Sequence, residues 1–153
     1  MLSWAGFAAN EPTIAGHAQE RFQATGLCLI ATLRRNGLPR VSPVEPIIHA
    51  GELYLGMMWQ SRKAKDLQRD PRCAVNSVVT DREGTEGEVK LYGEAREVTD
   101  PDEREGYCVA LNEAIGWRPE SDEFHLFALQ IAEAAYLKFE EAGQTTLHYS
   151  ASC

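Results

Sequence analysis

The sequence predicts a mainly β domain with helices at its joints, its antiparallel strands closing into a small barrel. Three observations lead there. Short stretches rich in strand formers follow one another, tight-turn residues such as Asn36-Gly37 and Ala50-Gly51 separate them, and three stretches read as helices.

The chain opens with "MLSWAGFAAN", residues 1–10, read as an N-terminal arm, mobile or docked. From Glu11 to Thr25, Ile14, Ala18, Phe22 and Ala24 recur at helical spacing, and Gly26 closes the helix. "LCLIATL", Leu27 to Leu33, reads as a strand, and Asn36-Gly37 supplies the positive φ angles of a tight hairpin. The returning strand, "LPRVSPVEPIIH", carries Pro39, Pro43 and Pro46, each lacking a ladder donor, so an edge or bulged strand is expected. Ala50-Gly51 then turns the chain into "ELYLGMM", Glu52 to Met58.

Ser61 is placed as the N-cap of a short helix, "RKAKDLQRD", with Ala64 and Leu67 inward and Asp70-Pro71 ending it. "CAVNSVV" reads as a strand, "DREGTEG" as a loop, and "EVKLYGEAREV" as a long strand with Val89, Leu91, Gly93 and Ala95 on one face. Asp100 to Gly116 reads as a helix with acidic residues at its start and Tyr107, Leu111, Ala114 and Ile115 on one stripe. "FHLFALQIAEAAYLKFEE" fits either period; its β context favours a long strand, followed by "TTLHYS" in a hairpin. The total is about six strands and three helices.

At 153 residues the chain is read as one domain, and a domain of that size buries about 70% of its unfolded-state surface. A formal charge of -8 argues against nucleic acid, whose binding depends on neutralising phosphates. Cys28, Cys73, Cys108 and Cys153 are far apart and have no histidine at metal-ligand spacing, so reduced thiols and no metal are expected. No run approaches the roughly 20 apolar residues of a membrane helix. A soluble, cytoplasmic protein without a membrane partner is the expectation.

Against the acidic background, "QSRKAKDLQRDPR", Gln60 to Arg72, concentrates positive charge. Arg62 and Lys63 fall in the first turn of the expected helix, where free N–H groups and the dipole already carry partial positive charge. Without a partner these two cations are misplaced. An anion reverses the sign, since the Ser61 hydroxyl, the N–H groups and both side chains would converge on a phosphate. Solvated surface residues are the competing reading.

The segment "RVSPVEPIIHAGELYLGMMWQSRKAKDLQRDPRCAV", Arg40 to Val75, resembles the cofactor-binding segment of the pyridoxamine 5'-phosphate oxidase-like, FMN-binding split β-barrel family. The order strand, turn, strand, S-R-K, short helix, D-P-R is shared, and the likeness extends from Gly26 to Val98. The resemblance implies a split antiparallel β-barrel with flanking helices, a homodimer with cofactor at the interface, and oxidoreductase chemistry on a small-molecule substrate. By position, Arg62 and Lys63 would hold the cofactor phosphate with help from Ser61. Arg40, Val41, Ser42 and Pro43 would lie along the ring and ribityl chain, Met57 and Met58 would complete that wall, and Glu88 would stand where a flavin-contacting glutamine is common, or pair with Lys90. The resemblance admits FMN or the 8-hydroxy-5-deazaflavin coenzyme, with Arg34 and Arg35 as candidates for a longer anionic tail.

Oxidases of pyridoxine phosphate carry a C-terminal R-L-x-D-R type motif, whereas this chain ends "TTLHYSASC"; pyridoxamine phosphate oxidation is therefore not expected. A non-enzymatic flavin or haem carrier of the same fold is the alternative, with His49, His125 and His148 as axial candidates. Otherwise the histidines, together with Trp59 and Trp117, are read as structural, with ring stacking the alternative for Trp59 and a lid for Trp117. No catalytic acid or base stands out.

Overall fold

The structure, a computed structural model, describes residues 1–151. Its elements are α1 (Trp4–Asn10), α2 (Pro12–Thr25), β1 (Cys28–Leu33), β2 (Pro39–Val44), β3 (Pro46–His49) and β4 (Glu52–Met58), then α3 (Arg62–Arg69), β5 (Arg72–Ser77), β6 (Glu88–Glu97), α4 (Pro101–Ile115), β7 (Phe124–Glu140) and β8 (Gly143–Ser150). The class is mainly β with α, as the sequence predicts. Among the described residues the strands number eight rather than about six, and the helices four rather than three. No helix among the described residues is long and apolar enough to cross a membrane.

The strands form one antiparallel sheet in the order β2-β1-β5-β6-β7-β4-β3, with β8 paired to β7. Proline accounts for one of the extra strands. The segment expected as a single bulged strand is divided at Glu45 into β2 and β3, which are the two ends of the sheet path. Because one residue joins them, the two ends must lie side by side, and the sheet has to curl into a barrel split between β2 and β3. Proline at both edges costs no ladder bond.

The first ten residues are not a mobile arm. Ser3 caps α1, its hydroxyl accepting from the Gly6 N–H at 3.3 Å, and Trp4 and Phe7 are buried. They join Ile14, Ala18 and Phe22 of α2, and Ile30, Leu55, Leu91 and Leu129 from the sheet, in the main core. A second core lies on the opposite face of β4 and β7, where Tyr54, Leu126 and Ala128 pack against Tyr107 and Leu111 of α4. Of the stripe expected on α4, Ala114 and Ile115 instead face solvent.

The double burial of β7 explains its ambiguous sequence. Phe127, Leu129 and Ile131 face the main core while Phe124, Leu126 and Ala128 face α4, so no polar alternation marks the strand. The first hairpin also differs in detail. Arg34 and Leu38 close a loop in which Gly37 has φ 81, while Asn36 keeps a negative φ. The Gly37 N–H donates to the Arg34 carbonyl at 2.8 Å, so a type I turn followed by a left-handed glycine replaces the two-residue turn. Such a two-residue turn occurs instead at Ala50-Gly51, with φ 49 and 81.

Candidate phosphate site and the adjoining turn

The site begins in the turn between β4 and α3. The Ser61 N–H donates to the Met58 carbonyl at 3.1 Å, and Gln60 between them takes a left-handed φ of 58, a costly conformation for a residue with a side chain. His125 of β7 holds this turn in place, its Nε2 accepting from the Gln60 N–H at 3.1 Å. The Trp59 indole stacks on the same imidazole, centroid to centroid at 4.7 Å and 12° between planes. The turn is therefore fixed by a residue far away in the chain.

Ser61 occupies the N-cap with extended backbone angles, φ -61 and ψ 149. Its hydroxyl makes no cap bond. Ser61 Oγ is buried and has no hydrogen-bond partner, and the first turn of α3 holds no acidic residue. An unpaired buried hydroxyl costs about 1–3 kcal/mol, and the first-turn N–H groups beside it have no intrahelical acceptor. An anionic oxygen acceptor there would satisfy both.

Lys63 bends back from α3 and donates to the Pro43 carbonyl of β2 at 2.9 Å. Burial pushes its ammonium below the ordinary lysine pKa, with the neighbouring Cys28 acting in the opposite direction. Cys28 is itself pushed up to about 12 by burial, with Lys63 pulling the other way, so at neutral pH it is a thiol facing a cation. Arg62 is exposed and free to turn toward the same point. Ser61, Arg62 and Lys63 thus share one helix start.

The other positions named from the sequence fall into separate surroundings. Arg40 turns to α3 and pairs with Asp66 at 2.6 Å. Asp66 is buried, and also accepts from the Thr32 hydroxyl at 3.0 Å and from Arg69 at 3.3 Å. Burial by itself pushes the Asp66 carboxyl up, but the hydrogen bonds from Arg40, Thr32 and Arg69 and the Arg40 charge outweigh it and hold the pKa below the ordinary range. Arg34 and Arg35 stand exposed at the mouth of this cluster, in a recess shared with Arg40 and Arg69.

Val41 is 62% exposed on the outer sheet face, beside Leu29, Ala31, Ala74 and Tyr92. Ser42 is half-buried and Pro43 exposed on β2. Met57 belongs to the main core, whereas Met58 is 81% exposed at the end of β4. Glu88 accepts from the Asn76 amide at 3.1 Å and lies 3.5 Å from Lys90, so it does pair with that lysine. Arg69 at the end of α3 pairs with Asp66 at 3.3 Å, and Arg72 at the start of β5 pairs with Asp70 at 2.7 Å.

Sequence reading did not single out Asp66 and gave His125 no role in this turn. Asp66 looked like one of several surface carboxylates on a charged helix, and the Gln60–His125 bond joins residues 65 apart. Neither has a local signal. Cys28, Cys73 and Cys108 are free; Cys153 lies outside the described residues.

Comparison with known proteins agrees with this architecture. The chain is similar in fold to a heme binding protein from Mycobacterium smegmatis, at 18% identity and a TM-score of 0.70 over 91% of this chain and 58% of that one. It therefore spans a little over half of that relative. A pyridoxamine 5'-phosphate oxidase-related, FMN binding protein from Nostoc punctiforme matches over 99% of this chain and 94% of its own, at 15% identity and a TM-score of 0.69. A Clostridium acetobutylicum protein related to general stress protein 26 of B. subtilis matches over 90% and 94%, at 13% identity and a TM-score of 0.66. No curated protein matches the sequence. These identities speak for the fold, a split barrel with flanking helices. The family model for pyridoxamine 5'-phosphate oxidase matches residues 14–138, which carry β1 to β6, all but the last two residues of β7, and the S-R-K turn, and the chain belongs to that family.

Proposed function

We propose that the protein binds a phosphate-bearing flavin, FMN or its deazaflavin counterpart, and acts as an oxidoreductase on a small organic substrate. The observation that carries this reading is the buried Ser61 hydroxyl, left without a partner at the start of α3 beside Arg62 and Lys63. A phosphate satisfies that hydroxyl and turns two misplaced cations into charge-assisted donors. When bound, the flavin supplies the hydride chemistry. The protein supplies the phosphate clamp and, in this reading, the exposed backbone of Val41, Ser42 and Pro43 along edge strand β2. Lys63 ties the clamp to that strand through the Pro43 carbonyl.

A second copy of the chain is part of the proposal. On the outer face of β2, β1, β5 and β6, Val41 and Tyr92 are exposed with Leu29, Ala31 and Ala74 between them. A homodimer closing over this face would bring two cofactor sites to one interface. In that arrangement Val41→Glu shifts the protein toward monomer in light scattering, and an unshifted mass would count against this interface.

The deciding experiment is the visible spectrum of the purified protein, followed by titration with FMN and with the deazaflavin. Binding of either below about 10 μM supports the reading, and Arg62→Ala with Lys63→Ala is expected to weaken it by about 2 kcal/mol or more. Unchanged affinity in that double variant rejects the clamp. The haem alternative draws on the fold likeness to a heme binding protein and on His148, exposed on β8. A Soret band would favour it over the flavin.

A further inference from the structure

We propose that His125 is a positioning residue for the anion clamp and works as a proton-operated latch: neutral, it holds the turn that sets Ser61, Arg62 and Lys63 in place, and protonated, it lets that turn go. The inference rests on the phosphate reading of the clamp and adds its regulation by pH.

The two ring nitrogens have different work. Nε2 accepts from the Gln60 N–H at 3.1 Å, so it carries a lone pair, and the proton of the neutral ring lies on Nδ1. Nδ1 faces the Glu97 carboxylate at 3.6 Å, and Glu97 is itself held by the Gln68 amide of α3 at 2.7 Å. A carboxylate on that side selects the tautomer that leaves Nε2 free to accept. The ring is 4% exposed and covered by the Trp59 indole at 4.7 Å, which leaves it little room to turn away.

A second proton has one place to go, Nε2, and there it meets the Gln60 N–H, donor against donor. The bond becomes a repulsive contact and the amide loses its acceptor. Gln60 is poorly placed to absorb this, because its φ of 58 persists in a residue with a side chain only while the surroundings impose it. What then closes the turn is the bond from the Ser61 N–H to the Met58 carbonyl at 3.1 Å, and the Ser61 side chain adds no cap bond. Relaxation of Gln60 moves its neighbour Ser61 and the first turn of α3 together, and with them the clamp.

The charges around the ring make both states available. Glu97, at the end of β6, is a ready counter-charge for an imidazolium. Across the same cleft α4 brings Arg104, Glu105 and the Cys108 thiol, and the segment before β7 brings Arg118, Glu120 and Asp122. Arg118 is bound to Glu105 at 2.7 Å, and Arg104 to the carbonyls of Val98, Asp122 and Phe124. Glu123, two residues before His125, is exposed, and β4 places the uncharged Met57 opposite. On the turn side, Arg62 and Lys63 are the nearest cations in the chain, two and three residues beyond Gln60. Glu97 thus holds the charged ring and Gln60 the neutral one. Lys63 keeps its charge as pH falls, so a loss of anion affinity on the acid side is not its titration.

FMN titration of the full chain across the range of histidine titration, about pH 8 to 5, tests this beside His125→Gln, whose amide oxygen can accept from the Gln60 N–H but takes up no proton. The flavin phosphate changes charge in the same range for both proteins, so the readout is the ratio of wild-type to variant Kd. That ratio should be constant at the alkaline end and rise by up to about tenfold per pH unit once His125 protonates. Glu97→Gln removes the counter-charge and should move the step to lower pH. In the cofactor-free protein, the Gln60 amide resonance and its hydrogen exchange should change in step with the His125 ring resonances, and should show no such step in His125→Gln. A pH-independent ratio, or a Gln60 amide indifferent to His125 protonation, overturns the latch. If FMN binds at no pH, the phosphate reading falls, and the Gln60 amide decides the latch by itself.

Discussion

The Lys63 ammonium donates to the Pro43 carbonyl at 2.9 Å, joining the first turn of α3 to the edge strand β2. Burial lowers its pKa from the ordinary lysine value, near 10.4. For folding, the buried charge is a penalty fully present below the lowered pKa and relieved as pH rises from there toward the unfolded value. For an anion at the clamp the sign is opposite, because the charged form is the one that attracts it. FMN affinity should therefore fall as pH rises through the lowered Lys63 pKa, before an ordinary lysine would titrate. Lys63→Arg keeps its charge throughout and should flatten the profile, the flavin's own titration being common to both proteins. A wild-type profile as flat as the variant's contradicts the clamp.

Asp66 carries a stability prediction. Its carboxylate is the shared acceptor for Thr32, Arg40 and Arg69, so removing it leaves a buried hydroxyl and a half-buried guanidinium unpaired. Asp66→Ala should cost about 3 kcal/mol in chemical denaturation. Since the folded pKa is held below the unfolded one, the contribution is present above the unfolded value, about 3.9, and is lost as pH falls through the folded value. The acid limb of the stability curve should flatten in Asp66→Asn. A loss below about 0.5 kcal/mol in Asp66→Ala would place it among exposed pairs of little worth.

The fold was legible where local chemistry decides it. Gly26 ends α2 at φ 69, Asp100 caps α4 by accepting from the Glu103 N–H at 2.8 Å, and the prolines mark the edges. Reading became ambiguous at β7, where helices and sheet bury both faces and the period-two signal vanishes. At the site, charge misplaced on a helix start pointed to Ser61, Arg62 and Lys63. Asp66 and the turn-holding part of His125 were silent because each acts through partners that only the folded sheet brings near. Met57 was offered as a ligand wall by its neighbours in sequence, while strand alternation turns it into the core and leaves Met58 outside.

Gly93 sits where the β6–β7 register shifts, its neighbour Tyr92 pairing with Glu133 and Gly93 itself with Ile131. A Cβ built on Gly93 would come within 1.8 Å of the Gln130 carbonyl oxygen. That atom is backbone inside the most extensively paired strand, so it cannot turn aside as a flexible side chain would. Gly93→Ala should destabilise by about 3 kcal/mol or more, or fail to accumulate as folded protein. A melting temperature within about 2 °C of wild type would show that the bulge relaxes freely.

Ser61→Ala separates the two sides of the proposed site. In the free protein the Ser61 hydroxyl is buried without a partner, so replacing it with a methyl group removes an unsatisfied polar atom and should raise stability by up to about 1 kcal/mol. In the flavin-bound protein the same hydroxyl would donate to phosphate, and its loss should weaken FMN binding by about 1–2 kcal/mol. Denaturation and FMN titration of the variant should thus move in opposite directions. A purely structural serine predicts that only stability changes, and a conventional N-cap predicts that stability falls by about 1 kcal/mol; either result removes Ser61 from the clamp.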